Sequence, residues 1–554
     1  MENWVITAKR ADFNEIGRKF HIDPVTARLI RNRDIVGDDA IALFLNGTTA
    51  DIPDPFLMKG MREAAAILTD KIADGASIRV VGDYDIDGVM ATYILKQGIA
   101  AMGGRVSSAI PHRILDGYGI SERIIRQALR DGVDTIITCD NGISAWDVLR
   151  EARAQGLTTI VTDHHEVTAV PEADAVVDPK QPGCGYPFKQ MCGAGIAWML
   201  MRAVNCPILE TLLPYAAFGT IGDIVSLTGC NRILVRDGLE KLRQTTNPGL
   251  LSLAEACGIT MGEIDTYEIG FVLGPCLNAC GRLDSADTAL ALLEETDRDE
   301  AVRKAIQVKA LNDRRKVMTE EGVLQAERCL SEGGCADDSV YVLYLPGCHE
   351  SIAGIIAGRI REKYGHPTII LTDSGDVLKG SGRSVEGMDM FVTLSRCEDL
   401  LLRFGGHSLA AGLSLERQNL DAFRQAVNAE SHLKSEDLIT KVKIDMAMPM
   451  SYVTEGLIEE MACLKPFGTD NPQPLFAMKD VTAENVRLIG RDGSVLKMTL
   501  TEPGGRSCEA IAFRRAAELY DRIRQNRVLS VTYYPTINEF RGRRTLQAVI
   551  THFR

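Results

Sequence analysis

Three aspartates at alternate positions follow an apolar run in Val80-Val81-Gly82-Asp83-Tyr84-Asp85-Ile86-Asp87-Gly88. Cys139-Asp140-Asn141-Gly142 and Val161-Thr162-Asp163-His164-His165-Glu166 close two further apolar runs, and Gly222-Asp223 sits in a later GTIGDIVSL segment. In a parallel sheet, such ends meet along one edge and bring several carboxylates and at least one imidazole into one cleft. Crowded carboxylates need pairing or a cation once desolvated, and no comparable positive charge lies near them in sequence. Oxygen ligands with histidine suit Mn²⁺ or Mg²⁺, and no thiolate cluster points to zinc. Two such ions ~3.5–4 Å apart can share a carboxylate and a hydroxide for in-line attack on a phosphodiester. Taken singly, each piece has a plain structural reading: a calcium-type loop or a turn for DxDxDG, a satisfied histidine pair for His164-His165. Their conjunction at successive strand ends favours the metal site.

The elements that must position these residues follow a βαβ rhythm. Ser77–Gly82, Thr135–Cys139, Thr158–Thr162 and Ala175–Val177 read as strands, and Val89–Met102, Ser121–Arg130 and Ala145–Gln155 carry helical apolar spacing. Residues 285–330 read as largely helical, a long connection between two lobes. A second α/β rhythm follows, with strands at Ser339–Leu345 and Thr368–Leu371, a helix at Ser351–Lys363, and Gly-rich loops at Gly380–Ser384 and Gly405–His407. From about residue 440 the texture changes to short alternating runs, such as Val495–Leu500 and Val528–Tyr534, that predict a small all-β domain.

The 554 residues give a soft expectation of three to four domains, and 45% hydrophobic with 25% charged residues is ordinary globular composition. The net charge of −13 argues against a broadly basic nucleic-acid binder, but residues 441–554 carry +4 and the rest −17. The tail Arg514–Arg554 holds nine arginines against three acids, interleaved with Tyr520, Tyr533, Tyr534, Phe540 and Phe553. That mixture suits a platform on which single-stranded bases stack, with a β-domain core and a solvated basic rim as the plain alternative. The N-terminus shows no apolar targeting segment, and the most apolar stretch, Ile196–Ile221, is interrupted too often to span a bilayer. The fourteen cysteines form no CxxC pair, and the expectation is reduced thiols in a cytoplasmic protein.

In this order, VGDYDIDG, PHR, CDNG, TDHHE and GTIGD resemble the DHH phosphoesterase superfamily. HESIAGIIAGRI, GSGRS and FGGHSLAAG look like the DHHA1 substrate-binding domain, and PFGTDNPQPLF resembles the start of the OB-type domain of the RecJ single-stranded-DNA exonuclease family. The resemblance covers about residues 50–554. It implies an α/β fold: a parallel-sheet DHH domain and a smaller α/β DHHA1 domain joined by a long helix, then an OB-like β-barrel. The corresponding division is an N-terminal helical cap at 1–50, DHH at 51–284, the connecting helix at 285–335, DHHA1 at 336–435 and the OB-like domain at 436–554.

Carried over residue by residue, the resemblance implies Asp85 and Asp87 as metal ligands, one for each of two Mn²⁺ or Mg²⁺ ions, with Asp83 assisting. Asp140 bridges the ions, and His164 and Asp223 bind the second. His165 stands near the scissile phosphate, and Asp163 orients a histidine. Arg113, Arg282, His349, Ser381, Arg383 and His407 would grip substrate phosphates, and Tyr533, Tyr534, Phe540, Arg541, Arg543 and Arg544 would contact nucleic acid. Val81 stands where pyrophosphatases of the superfamily carry a histidine. Two departures touch strand grip: Cys348-His349-Glu350-Ser351 replaces a Trp-His-x-Gly pattern, and GPCLNACGR puts Cys276 where a basic residue is usual.

The implied activity is 5′-to-3′ hydrolysis of single-stranded DNA to 5′-mononucleotides by a metal-activated hydroxide, in DNA repair and recombination. The implied partners are single-stranded DNA, a single-strand-binding protein and a RecQ-type helicase, with no membrane and a monomeric state. Two alternatives stand beside it: a phosphodiesterase of short oligonucleotides or cyclic dinucleotides, and a non-catalytic single-strand-binding replication scaffold.

Overall fold

A computed structural model of the chain describes residues 2–434, 436–490, 493–540 and 542–554, with the Phe540 side chain outside that description. It divides into two compact units. One comprises Pro53–Asp223 and Gly238–Thr440; the other comprises Glu2–Ile52, Ile224–Asp237 and Lys441–Arg554.

In the first unit, a parallel sheet is built from β1 (Ser77–Val81), followed by the helix α1 (Ile86–Ala101), then β2 (Arg105–Ala109), β3 (Thr135–Cys139), β4 (Thr158–Thr162) and β5 (Ala175–Val177). The strand order is β2-β1-β3-β4-β5, and every pairing is parallel. β3 and β5 are buried throughout, as continuous apolar or threonine-rich runs in a two-sided sheet must be. β2 is a strand the sequence does not mark: RVSSA is a half-exposed edge strand with little apolar signal. The order reverses beside β1, and in such sheets ligands bind at the crevice where it does so. In register, Val81 faces Thr138, Cys139 faces Thr162 and Thr162 faces Val177, so the acidic clusters emerge side by side. α1 is buried on nearly all sides and packs against α2 (Gly193–Ala203) and α3 (Leu209–Gly222). This explains its lack of a polar face.

α4 (Gly274–Leu283) leads to the 35-residue helix α5 (Arg298–Glu332) and a second, mixed sheet. That sheet contains β6 (Tyr341–Tyr344), then, after helix α6 (Ala353–Tyr364), β7 (Thr368–Ser374), β8 (Val377–Arg383), β9 (Arg403–His407) and β10 (Ala410–Glu416), in the order β9-β10-β8-β7-β6. Two expectations are corrected here. Gly380–Arg383 and Gly405–His407 are not loops but strands, paired through β10 with Gly382 opposite Ala411 and Gly405 opposite Gly412. The glycines allow close packing: a Cβ on Gly380 would lie 2.5 Å from Leu371 Cδ2.

The second unit holds a barrel of β11 (Phe476–Ile489), β12 (Val495–Thr501), β13 (Ser507–Ala512), β14 (Val528–Phe540) and β15 (Arg543–Phe553), closed where β14 also pairs with β11. N-terminal Val25, Leu29, Ile30, Ile41 and Phe44 share one apolar core with barrel residues such as Phe476, Val531 and Ile550. Among the described residues no helix is long and apolar enough to cross a membrane.

Candidate active site

The turn after β1 splits its three aspartates. Asp85 caps α1: its Oδ1 accepts from the backbone N–H groups of Asp87 and Gly88 at 3.0 and 3.1 Å. Asp87, inside the first turn, accepts from the N–H groups of Gly193 at 2.6 Å and Ala194 at 2.8 Å, at the positive end of α2. Asp140 leaves β3 with φ 62°, a left-handed conformation that aspartate tolerates better than most residues. Asn141 holds that bend, donating to the Val81 and Cys139 carbonyls and accepting from Ile120 N–H. Asp223 arrives differently from the expectation: it caps the C-terminus of α3, not a strand.

The resulting groups are tight. Asp83, Asp85 and Asp140 form one set of mutually close ligand atoms; Asp87, His164 and Asp223 form another; Asp140 also groups with His164 and His165. His164 Nε2 lies 3.0 Å from Asp140 Oδ1 and 3.8 Å from carboxylate oxygens of Asp87 and Asp223. The 3.0 Å approach is not a hydrogen bond: Asp140 Oδ1 is buried without a partner, as is Asp83 Oδ1. Burial, then neighbouring carboxylates, push Asp83, Asp140 and Asp223 well above the ordinary carboxylate range and Asp87 up to about 6. Burial pushes His164 down to about 3, against a hydrogen bond to the Met191 backbone. A neutral imidazole therefore turns a lone pair toward carboxylate oxygens, and only a cation between them makes that arrangement favourable. The donor set of carboxylates and one imidazole fits Mn²⁺ or Mg²⁺.

His165 and Asp163 form a second pair, Nδ1 to Oδ1 at 2.7 Å. Burial opposes the charge on His165, but the Asp163 bond and surrounding carboxylates outweigh it and lift the ring to about 9. Asp163 also accepts from Ile143 N–H. Sequence reasoning missed Tyr118, whose hydroxyl donates to the Asp140 carbonyl at 2.9 Å and lies 3.1 Å from His165 Nδ1. Its signal was the glycine-flanked tyrosine of DGYG. It also missed Asp178 at the end of β5, pushed by burial up to about 7, and Asn278, whose Oδ1 accepts from Ile86 N–H at 2.8 Å.

The phosphate-gripping candidates gather nearby. Arg113 lies 4.3 Å over the Tyr84 ring. Arg282 donates to the Ser351 carbonyl, and burial followed by Arg113 lowers it to about 9. Arg383 donates to Ser381 Oγ, and its charge is also felt by Arg282. Burial lowers His407, with Arg383 next. His349 Nδ1 is 2.7 Å from Ser351 Oγ, so it faces its own turn. Three arginines that repel one another, with Asp85 opposing that repulsion at Arg282, suit an anion. A cavity of about 410 Å³ lined by Tyr84, Arg113, Tyr118, Ser351, Lys379 and Phe404 adjoins them.

Gly281 explains why the arginine can sit there. A Cβ on it would lie 2.1 Å from the Tyr84 carbonyl oxygen, which is backbone and cannot step aside. Gly281→Ala is expected to push α4 off the aspartate turn and lower phosphodiester hydrolysis at least about tenfold with near-normal secondary structure. Steady-state rates beside circular dichroism check this.

The aromatic platform expected on the barrel is partly overturned. Tyr533 is fully buried, donating from its hydroxyl to the Met448 carbonyl and packing on Phe476, so it offers no stacking face. Tyr534, its neighbour on the other face of β14, is half-buried. Arg543 is exposed, and Arg544 pairs with Glu455 and Glu459. The Phe540 side chain and Arg541 lie outside the described residues.

Family models match along the chain: the DHH family, N-terminal domain, at residues 77–220; the DHHA1 domain at 337–432; the RecJ OB domain at 444–552. The chain is 35% identical over 537 residues to the single-stranded-DNA-specific exonuclease RecJ of Bacillus subtilis (strain 168), covering 96% of this chain and 68% of that one. With RecJ of Haemophilus influenzae it shares 32% identity, covering 97% of each. The crystal structure of RecJ in complex with Mn²⁺ from Thermus thermophilus superposes with a TM-score of 0.86 at 29% identity, covering all of this chain and 79% of that one. With three domain types in the family's order on the folds described, and identity spread over nearly the whole length, the chain belongs to the RecJ family.

Proposed function

We propose that this protein is a metal-dependent exonuclease that degrades single-stranded DNA from the 5′ end to 5′-mononucleotides, in DNA repair and recombination. The observation that carries the reading is a group of three carboxylates with partnerless buried oxygens beside a group of two carboxylates and an imidazole, set near mutually repelling arginines in one unit. The relatives' names specify single-stranded-DNA-specific exonuclease activity, and Thermus thermophilus RecJ has been crystallised with Mn²⁺ and with Mg²⁺.

Asp83, Asp85 and Asp140 would hold one ion, and Asp87, His164 and Asp223, with Asp140 shared, the other. Bound there, the ions supply Lewis-acid polarisation of the phosphate and a water of lowered pKa. The remaining work belongs to side chains. Arg113, Arg282 and Arg383, with Ser381, grip the terminal phosphate and set which bond lies over the carboxylates. His165, kept protonated by Asp163, offers an N–H to the developing negative charge. Tyr118 ties the His165 ring to the Asp140 backbone. Exposed Arg543 would attract the strand electrostatically, as would Arg544 once a phosphate displaces Glu455 and Glu459. We assign the domain limits as 51–284, 336–435 and 436–554 with a connecting helix at 285–335, and the first 50 residues as a cap. A single-strand-binding protein and a RecQ-type helicase are its proposed partners, and the enzyme is proposed to be monomeric and cytoplasmic.

Strands labelled at either end, single or duplex, incubated with Mn²⁺ or Mg²⁺, test the reading. The 5′ label is expected to appear first as a mononucleotide, from the single strand. Cleavage of dinucleotides with long strands left intact overturns it in favour of a short-oligonucleotide phosphodiesterase.

A further inference from the structure

Cys257 and Cys276 bring their sulfurs to 3.8 Å, within the first unit and apart from the metal and phosphate groups. Cys276 is fully buried in the first turn of α4, and Cys257 caps the helix Pro248–Ala256, half-buried. Arg315 Nε donates to Asn312 Oδ1 at 2.9 Å, which fixes the amide and points its Nδ2 at Cys276 Sγ, 3.2 Å away. Cys276 accepts from Asn312 and is fully buried, whereas Cys257 is half-buried, so Cys257 is the sulfur of the pair that a peroxide can reach. Lys309 and Lys316, a turn either side of Asn312 on α5, both favour the Cys257 thiolate; Asp313 opposes it. The contact with Cys276, then the lysines, hold Cys257 below the ordinary thiol range despite burial. Gly258 follows at φ 71° in an exposed turn, which gives Cys257 room to move.

We infer that Cys257 and Cys276 form a reversible disulfide site, closed by a peroxide, whose closure slows the enzyme. The Cys257 thiolate attacks one peroxide oxygen and the O–O bond breaks. The sulfur becomes a sulfenic acid, and the leaving hydroxide takes a proton to become water. Cys276 then gives up its proton and attacks the Cys257 sulfur. The S–S bond forms, the S–O bond breaks, and the hydroxyl leaves with that proton as a second water. Two thiols are oxidised by two electrons and one peroxide is reduced to two waters. A dithiol reverses the step by exchange.

Closure must draw the sulfurs from 3.8 Å to about 2 Å, and it costs the Asn312 bond to a thiol that no longer exists. The bond would tie the moving Cys257 turn to the first turn of the helix that carries Asn278, which holds the backbone of Ile86, and Arg282, which grips phosphate, and would pull on that helix. Disulfide formation is independent of the proposed hydrolysis; only the rate measurement rests on it.

The test uses the full-length protein, treated with hydrogen peroxide in the presence of a chelator, cleared of both and assayed with fresh Mn²⁺. Peptide mapping is expected to show the Cys257 and Cys276 peptides joined. Hydrolysis of a labelled single strand should fall by about tenfold and return with a dithiol reductant. Cys257→Ser, which leaves the buried Cys276 in place, is expected to match the untreated rate and to keep it after peroxide. Absence of the linked peptide overturns the inference. So does a linked pair with unchanged rate, or an equal loss in Cys257→Ser. If untreated wild-type protein hydrolyses nothing, the proposed activity fails while the linked peptide still reports on the thiol pair.

Discussion

Asp140→Asn is expected to lower hydrolysis of single-stranded DNA by about 10³-fold or more while leaving strand binding within about twofold of normal. Asparagine keeps the volume and tolerates the left-handed φ of 62°, so the turn survives, whereas alanine there adds backbone strain. The Tyr118 hydroxyl bonds the backbone carbonyl of residue 140 and is not lost. What disappears is the one carboxylate close to both ligand groups, 3.0 Å from His164 Nε2. The arginine cluster is untouched, hence the retained binding. The same substitution makes a second, opposite prediction. With metal chelated, burial and then Asp87, Asp85, Asp83 and Asp223 oppose ionisation of the Asp140 carboxyl, so Asp140→Asn should stabilise the chelated protein by about 1–3 kcal/mol. Mn²⁺ should raise the melting temperature of the wild type more than that of the variant. Quench-flow rates, strand binding and thermal melts with and without Mn²⁺ measure all three. Near-normal hydrolysis in the variant removes Asp140 from the site.

Arg232→Ala should destabilise the second unit by about 3–5 kcal/mol. Arg232 is almost fully buried, with no carboxylate among its hydrogen-bond partners. Its guanidinium donates to the carbonyls of Phe44 at 3.1 Å, Leu464 at 2.8 Å and Cys463 at 2.7 Å, and lies 3.8 Å from the centre of the Phe44 ring. Burial lowers its pKa to about 9, which still leaves it charged at neutral pH. Two backbone segments far apart in sequence therefore meet on one planar group carried by a third. Truncation leaves a cavity and takes the guanidinium donor from the Phe44 and Cys463 carbonyls, while the Leu464 carbonyl keeps the Asn471 amide. Lysine cannot replace it, because a single ammonium cannot reach carbonyls spread around a fork. Hydrogen exchange at residues 40–46 and 460–466 should rise in both variants before the parallel sheet of the first unit opens. Unchanged protection there sinks the assignment.

Much of the candidate site's geometry is legible in the order of residues, for a specific reason. An apolar run of five residues that ends in Gly-Asp or Asp-Asn-Gly can hardly be anything but a strand meeting a turn, and parallel strands put those turns on one edge. Asp83, Asp85, Asp87, Asp140, Asp163 and His164 follow from that alone. Asp223 is legible as a candidate but not as a helix cap, because GTIGD reads equally as strand or helix. The contacts made by Asn278 and Tyr118 are invisible. Each acts on backbone distant in sequence, Asn278 on Ile86 and Tyr118 on Asp140, and nothing local marks such a contact. The glycine-rich segments at 380–384 and 405–407 read as loops because their strand character comes from close pairing with β10, not from side chains.

The barrel shows the limit most plainly. Alternation in Val528–Phe540 says that Tyr533 and Tyr534 point to opposite faces, yet a period of two carries no label for inside. Only closure through β11 put Tyr533 against Phe476 and Met448, leaving Tyr534 as the tyrosine of the pair with any exposed surface. Residue order alone thus sets the chemistry available: which acids, imidazoles and arginines exist, and which of them end strands. Folding in three dimensions selects which of them meet. A ligand group, an arginine cluster and a thiol pair are each made by side chains tens to hundreds of residues apart, and their energies depend on distance and burial, which no local pattern encodes.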